Sequence, residues 1–449
     1  MNMNKMNRRS FIKKSSMAAA VSAPFFIAKD LWANGSPNEK INMAVIGLGK
    51  QAGAHLGPIC GNPQTNLSAI CDVDDERLDY VYNSRNCKKF GTKKYKDFRD
   101  VNADKSIDAV VIVTPDHWHT IQTVLAARAG KHIYCEKPLT FSIQEGQQIL
   151  KAVNDAGVVF QTGSMQRSDM GFGKQHQLVA SGALGEIKEV WCNFGRKFPT
   201  YYNWPAEPLP KGMDWEMWVG PAPMREYSSH LLPHLYGNNG KKEAPYSHPW
   251  GEWRWHVDYG NGMQADWGAH HFDIAQWGLG MDGKGPKYVH VFESKGPTPG
   301  DTKNIYYEYD NGTKVYYGVP GVVRAKKCTV KNPMVTFIGT EGICAASRGH
   351  WFWTDVEKWQ SGKIPPGSTA TEVTNGHMQN FIDGILTGRQ VICPAEVGVS
   401  SCNMCIIGNI AHRLGRPLEW DWKTCTFKND AEANKYLWRE NRGEWANVI

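Results

Sequence analysis

Ile41-Asn42-Met43-Ala44-Val45-Ile46-Gly47-Leu48-Gly49-Lys50-Gln51-Ala52-Gly53 is the stretch on which the reading of the fold turns. Its first six residues form a short, mostly apolar strand. A G-x-G-x-x-G/A turn follows at once, with Ala52 in the third place. Gly47 permits a tight turn, Gly49 lets the backbone approach a pyrophosphate, and Ala52 allows a helix to pack closely on the strand. The first turn of that helix offers unpaired N–H groups and a positive dipole end to phosphate oxygens. Gly47, Gly49 and Ala52 are therefore candidate cofactor-binding residues.

A glycine-rich turn alone is common, and the downstream pattern decides its meaning. A second strand, Leu67–Asp72, ends in a carboxylate twenty residues after Ala52, where a ribose-binding acid belongs. Asp72 in that place bonds the adenosine 2′-OH and repels a 2′-phosphate, which favours NAD over NADP. Lys50 is a nearby cation that softens the repulsion. Strand-like runs over 107–114, 131–135 and 158–161 then alternate with helix-like runs over 120–129 and 142–155. That alternation predicts a doubly wound parallel sheet over residues 35–165, an α/β domain of Rossmann type. Two motifs fall at strand C-termini, where such sheets bind ligands: Thr114-Pro115-Asp116-His117-Trp118-His119 and Glu136-Lys137-Pro138. Thr114, Pro115, His119, Glu136 and Lys137 join the cofactor-binding candidates.

The chain has 449 residues, 41% hydrophobic and 21% charged, which suits two or three globular domains and excludes a disordered or collagen-like chain. No window has the uninterrupted apolar length of a membrane span. Of the formal charge of +7, residues 1–33 hold +5, from six Lys and Arg against Asp30. The remaining +2 is too little to suggest a nucleic-acid partner. Arg8-Arg9 stands before Phe11 and Lys13, and a weakly apolar run follows from Met17 to Ala28. This reads as a twin-arginine signal peptide over residues 1–33, predicting an exported, periplasmic protein. The eleven cysteines have no secreted-knot spacing, and the lone Cys402-x-x-Cys405 sits in a helix-like apolar pattern, so no metal site is predicted.

Together the segments 44–56 (AVIGLGKQAGAHL), 69–78 (AICDVDDERL), 114–119 (TPDHWH), 136–140 (EKPLT) and 266–273 (DWGAHHFD) resemble the Gfo/Idh/MocA oxidoreductases. The resemblance is strongest to exported, twin-arginine members with a tryptophan-rich middle and a segment like Gly339-Thr340-Glu341-Gly342. It implies a second α/β domain over residues 166–449, with an open, mostly antiparallel sheet often used to form homo-oligomers (dimers or tetramers). It also implies hydride transfer between NAD(P) and a sugar or cyclitol hydroxyl. By the same analogy His270 accepts the proton, Asp266 partners both substrate and histidine, and Lys137 is a cation beside the reacting oxygen.

The spacing of Asp266 and His270 would place both on one face of a helix, one turn apart. A carboxylate there would orient the imidazole and favour its protonated form. Nine of the eighteen tryptophans lie between Trp191 and Trp277, and nine prolines between Phe198 and Trp250. A long irregular segment in a compact domain is more often functional than accidental, and flat aromatic faces suit a carbohydrate ring. An alternative function on the same fold is NAD-dependent glycoside hydrolysis, by oxidation, elimination, hydration and reduction. A tightly held NAD suits either activity outside the cytoplasm.

Overall fold

The computed structural model describes residues 40–85, 87–195, 198–233, 250–293, 303–322, 328–354 and 376–449. The signal-peptide reading of residues 1–33 lies outside them.

The first sheet comprises β1 (Ile41–Ile46), β2 (Thr65–Cys71), β3 (Lys93–Tyr95), β4 (Ala109–Ile112), β5 (His132–Cys135) and β6 (Phe160–Thr162). All its pairings are parallel, in the order β3-β2-β1-β4-β5-β6. The order reverses between β1 and β4, which opens a crevice at their C-terminal ends. Helices α1 (Gly53–Gly61), α2 (Asp75–Ser84), α3 (Asp116–Arg128) and α4 (Ile143–Ala156) connect the strands. Helix α3 begins at Asp116, four residues before the sequence pattern suggests, because Pro115 supplies a preset φ of −62° at its N-cap. Strand β3 escapes sequence reading: it is three residues long, and its two lysines are exposed at the sheet edge.

The second sheet has nine strands among the described residues: β7 (Ile187–Cys192), β8 (Tyr288–Glu293), β9 (Lys303–Glu308), β10 (Lys314–Tyr317), β11 (Val335–Gly339), β12 (Ile343–Ser347), β13 (His350–Trp353), β14 (Leu418–Asp421) and β15 (Thr426–Phe427). Only β7 and β10 pair in parallel, so this sheet is mostly antiparallel. Helices α5 (Met170–Ala180), α7 (Gly268–Leu279, preceded by the short α6, Gly262–Asp266) and α9 (Ala395–Leu414) cover one face. Phe272, Tyr307, Phe337 and Ile407 are fully buried between sheet and helices. On the opposite face Trp191 stacks on Tyr316 at 4.8 Å and His290 on Tyr306 at 4.5 Å, all four partly exposed.

The far end of the chain returns to the first sheet. Helix α8 (His377–Thr387) sets Phe381 and Ile382 among Val45, Leu67 and Ile70, and α9 contributes Ala395 and Val399 to the core on the other side. Cys402 and Cys405 are buried within α9, and the Cys402 sulfur accepts the Leu139 N–H at 2.9 Å.

Trp215 and Trp218 of the proline-rich segment form a small core with Trp253 and Tyr259 just beyond it. It docks on the nucleotide end of the first sheet: Asp75 N–H donates to Gly212 O, Asp214 N–H to Val73 O, and Trp118 Nε1 to Trp218 O. The described part of the irregular stretch is thus a roof fixed over the crevice.

Candidate active site

One cavity of about 840 Å³ runs from the turn after β1 to the start of α7. Gly47, Gly49, Asp72, Thr114, Pro115, Glu136, Lys137, Asp266 and His270 all line it. Ala52 and His119 do not.

The nucleotide end follows from the β1 turn. Gly47 has φ +89°, and a Cβ there would meet the Val113 carbonyl at 2.8 Å, so only glycine fits. Beside Gly49 the space is open, leaving room for a ligand against bare backbone. Ala52 is fully buried, as packing of helix on strand requires. Asp72 Oδ2 accepts the Leu48 N–H at 2.7 Å and Oδ1 the Asp74 N–H at 3.0 Å. Burial pushes its pKa up to about 6, against the pull of Arg77 and the two amides.

Glu136 stands under the turn. Its Oε1 lies 2.7 Å from His55 Nε2 and accepts Gln51 Nε2 at 3.1 Å. Burial alone would raise its pKa, but His55, Lys137 and Gln51 outweigh that and hold it below the ordinary carboxylate value. His119 departs from its assigned role. It is buried, with Nδ1 2.8 Å from Pro138 O and Nε2 2.8 Å from Thr114 O. It ties the two strand-end loops together from behind instead of facing a ligand.

At the other end, Lys137 Nζ donates to Asp266 O at 2.7 Å and to Asp266 Oδ1 at 2.8 Å. Arg254 Nε approaches the same carboxylate at 3.6 Å, with its guanidinium between the rings of Trp250 and Trp253, 4.4 and 4.3 Å from their centroids. Burial would raise the Asp266 pKa, but these cations hold it low.

The expected carboxylate–imidazole pair is not formed. Asp266 ends α6 and His270 belongs to α7, whose His270 N–H bonds Trp267 O at 3.1 Å. The Asp266 carbonyl that would accept that N–H in an unbroken helix is taken by Lys137. His270 Nδ1 is buried without a partner among the described residues. Burial, then Lys137 and Arg348, push its pKa well below 6.5. The resting imidazole is neutral.

Residues 41–164 match the description "Oxidoreductase family, NAD-binding Rossmann fold", and residues 174–327 with 363–447 match its "C-terminal alpha/beta domain". The chain belongs to the Gfo/Idh/MocA family. Among curated Gfo/Idh/MocA relatives, the myo-inositol 2-dehydrogenase of Thermotoga maritima is 31% identical over 147 residues, 32% of this chain and 42% of that protein. A glycosyl hydrolase family 109 protein of Shewanella baltica is 25% identical over 210 residues, 41% of this chain and 45% of that one. The chain thus spans less than half the length of these curated relatives. The solved structure of GenD2 from gentamicin A biosynthesis, in complex with NAD, superposes with a TM-score of 0.56 at 18% identity, covering 85% of this chain and 97% of that one. That likeness shows the fold.

Several lining residues of this Gfo/Idh/MocA site were not singled out in the sequence: Gln51, Asp116, Arg254, Trp267, Arg348 and His377. Gln51, Asp116 and Trp267 sit inside motifs already quoted, so position alone could have found them. Arg254, Arg348 and His377 come from distant segments with no motif. Burial raises the Asp116 pKa to about 8, with Arg254 opposing, so this carboxyl is protonated at neutral pH. Asp273 is a structural anion, bound by Arg167 at 2.8 Å through both oxygens and by Ser401 at 2.9 Å. Of the tryptophans, Trp118, Trp218, Trp250, Trp253, Trp255 and Trp267 line the cavity, whereas Trp191 and Trp277 lie elsewhere. Among the described residues no group of three His, Cys, Asp or Glu could hold a metal ion, and no helix is long and apolar enough to cross a membrane.

Proposed function

We propose that the chain is an NAD-dependent oxidoreductase that moves hydride between nicotinamide and a secondary hydroxyl of a sugar, glycoside or cyclitol. The observation that carries this reading is the single cavity joining the glycine turn and Asp72 to Lys137, Asp266 and His270. The nucleotide fits the residues present: bare backbone at Gly49, the α1 N-terminus for phosphates, and Asp72 for the ribose. When bound, NAD supplies the hydride acceptor.

This chain's residues supply the rest. Oxidising an alcohol requires a proton to leave oxygen as hydride leaves carbon. A neutral His270 is ready to take that proton through Nε2. The Lys137 ammonium, held on Asp266, stabilises negative charge growing on the oxygen. The roof over the crevice supports a tightly held cofactor. The partly exposed aromatic face of the second sheet supports a homo-oligomer, and Arg8-Arg9 supports export by the twin-arginine route to the periplasm.

A second reading, NAD-dependent glycoside hydrolysis, is favoured by the family 109 likeness. One experiment separates the two. Mass spectrometry identifies nucleotide carried by the purified protein, and a panel of hexosides and inositols is then followed for NADH absorbance and released aglycone. Net NADH supports the dehydrogenase; aglycone release without net NADH replaces it with the hydrolase.

A further inference from the structure

At the substrate end of the cavity one cation has no ion-pair partner among the described residues. Lys137 and Arg254 share Asp266, at 2.8 and 3.6 Å, and Asp116 is neutral at pH 7 because burial raises its pKa to about 8. Asp169, on the same rim, accepts backbone N–H groups from Gly171 at 2.8 Å, Phe172 at 3.4 Å and Gly349 at 2.9 Å. Arg348 also lines the cavity, yet it makes no hydrogen bond or ion pair with any described residue. Its guanidinium lies over the Trp267 ring, 5.2 Å from the centroid. Trp267 is the residue between Asp266 and α7, so Arg348 stands beside the reacting groups, and His270 feels its charge.

Arg348 is exposed, but its backbone is fixed. It lies in the turn between β12 and β13, which is tied to Asp169 through the Gly349 N–H. The same turn rests directly on Gly171, where a Cβ would come within 2.4 Å of Ser347 O and 2.6 Å of His350 O. A glycine is needed for this close approach, and the approach sets Arg348 at the rim.

We propose that Arg348 is a specificity residue for an acidic substrate: the sugar or cyclitol oxidised here carries a carboxylate, which Arg348 binds against the face of Trp267. A guanidinium fork matches a carboxylate through two parallel hydrogen bonds. Lys137, Arg254 and Arg348 bring three positive charges to this end of the cavity against the carboxylates of Asp266 and Asp169, and the one in excess suits a monoanion. A neutral sugar offers Arg348 only hydroxyl acceptors, which are weaker partners for a guanidinium than a carboxylate. This inference rests on the oxidoreductase reading for the reaction, and on Arg348 alone for the acid group.

The test uses the NAD-loaded protein, titrated with glucuronate, galacturonate, their neutral parent hexoses and glucose 6-phosphate. Tryptophan fluorescence reads binding and absorbance at 340 nm reads NADH. The acids should bind about 10- to 100-fold more tightly than their parents, as one charge-assisted bidentate contact confers. Arg348→Gln should bring that ratio close to one, and Arg348→Lys should restore part of it. Equal binding of acids and parents, failure of both acids to bind, preference for glucose 6-phosphate, or an unchanged ratio in Arg348→Gln would each overturn the proposal. NADH formed from neutral hexoses without an acid advantage would overturn this inference while keeping the oxidoreductase. Arg348-dependent acid binding with no NADH would keep the inference and count against the oxidoreductase.

Discussion

Lys137 Nζ occupies the carbonyl of Asp266 at 2.7 Å and its carboxylate at 2.8 Å, and so it stands where the helix would otherwise close its own hydrogen bond to His270. Two catalytic candidates are thereby joined directly, and the third, His270, is left without a bond to either. Asp266 acts on Lys137, and His270 faces a local field that is positive.

The first consequence is a pH profile. Because its pKa is depressed well below 6.5, His270 accepts protons across the neutral range, and it loses that capacity only when acid reaches its lowered pKa. The acidic limb of kcat/KM for oxidation should therefore lie well below pH 6.5. Lys137→Met removes one of the cations responsible, so the limb should move up toward 6.5 while kcat falls. A limb at 6.5 in both proteins would show that His270 is not held neutral in this way.

Asp116 gives a stability prediction of opposite sign. Its folded pKa of about 8 exceeds the ordinary 3.8, so the native state binds the proton more tightly and stability falls as pH rises from about 4 to about 8. Asp116→Asn removes that loss. Its melting temperature relative to the parent should rise between pH 4.5 and 8.5, by at most about 1.4 kcal/mol of stability per pH unit. A constant difference across that range would contradict the buried, protonated carboxyl.

Cofactor choice is expected to turn on Asp72. Charged above about pH 6, it repels a 2′-phosphate; protonated below that, it does not. The preference for NAD over NADP should thus narrow from pH 8 to pH 5.5, and Asp72→Ala should narrow it at both. Titrations of both nucleotides check this, and equal or better NADP binding at pH 8 would remove the assignment.

Much of this was legible in the residues. Gly47, Gly49 and Asp72 carry local requirements, a tight turn and a strand-end acid, that sequence spacing expresses directly. The alternating runs gave the first sheet for the same reason. Lys137's partner was not legible, because Asp266 lies 129 residues away and the choice between His270 and Lys137 depends on packing of two domains. His119 looked like a ligand-facing histidine because its neighbours are; only the positions of Thr114 O and Pro138 O reveal that both ring nitrogens face backbone. Arg254 and Arg348 come from a roof and a turn that local pattern cannot place at a cavity.

Export is tested at the N-terminus. Arg8→Lys with Arg9→Lys should retain the protein in the cytoplasm, since a planar guanidinium pair and an ammonium pair are not interchangeable. Fractionation checks this, and wild-type amounts outside the cytoplasm would refute the twin-arginine reading.

The most direct test of the catalytic account is hydride transfer at 340 nm in NAD-loaded protein mixed with an oxidisable sugar or cyclitol, compared across the parent, His270→Asn and Lys137→Met. The account predicts retained nucleotide in all three, with turnover lowered about 10²- to 10⁴-fold in His270→Asn, the range of a positioned acid–base group, and lowered in Lys137→Met by more than its nucleotide binding is weakened. Near-parental NADH formation by both variants would contradict it.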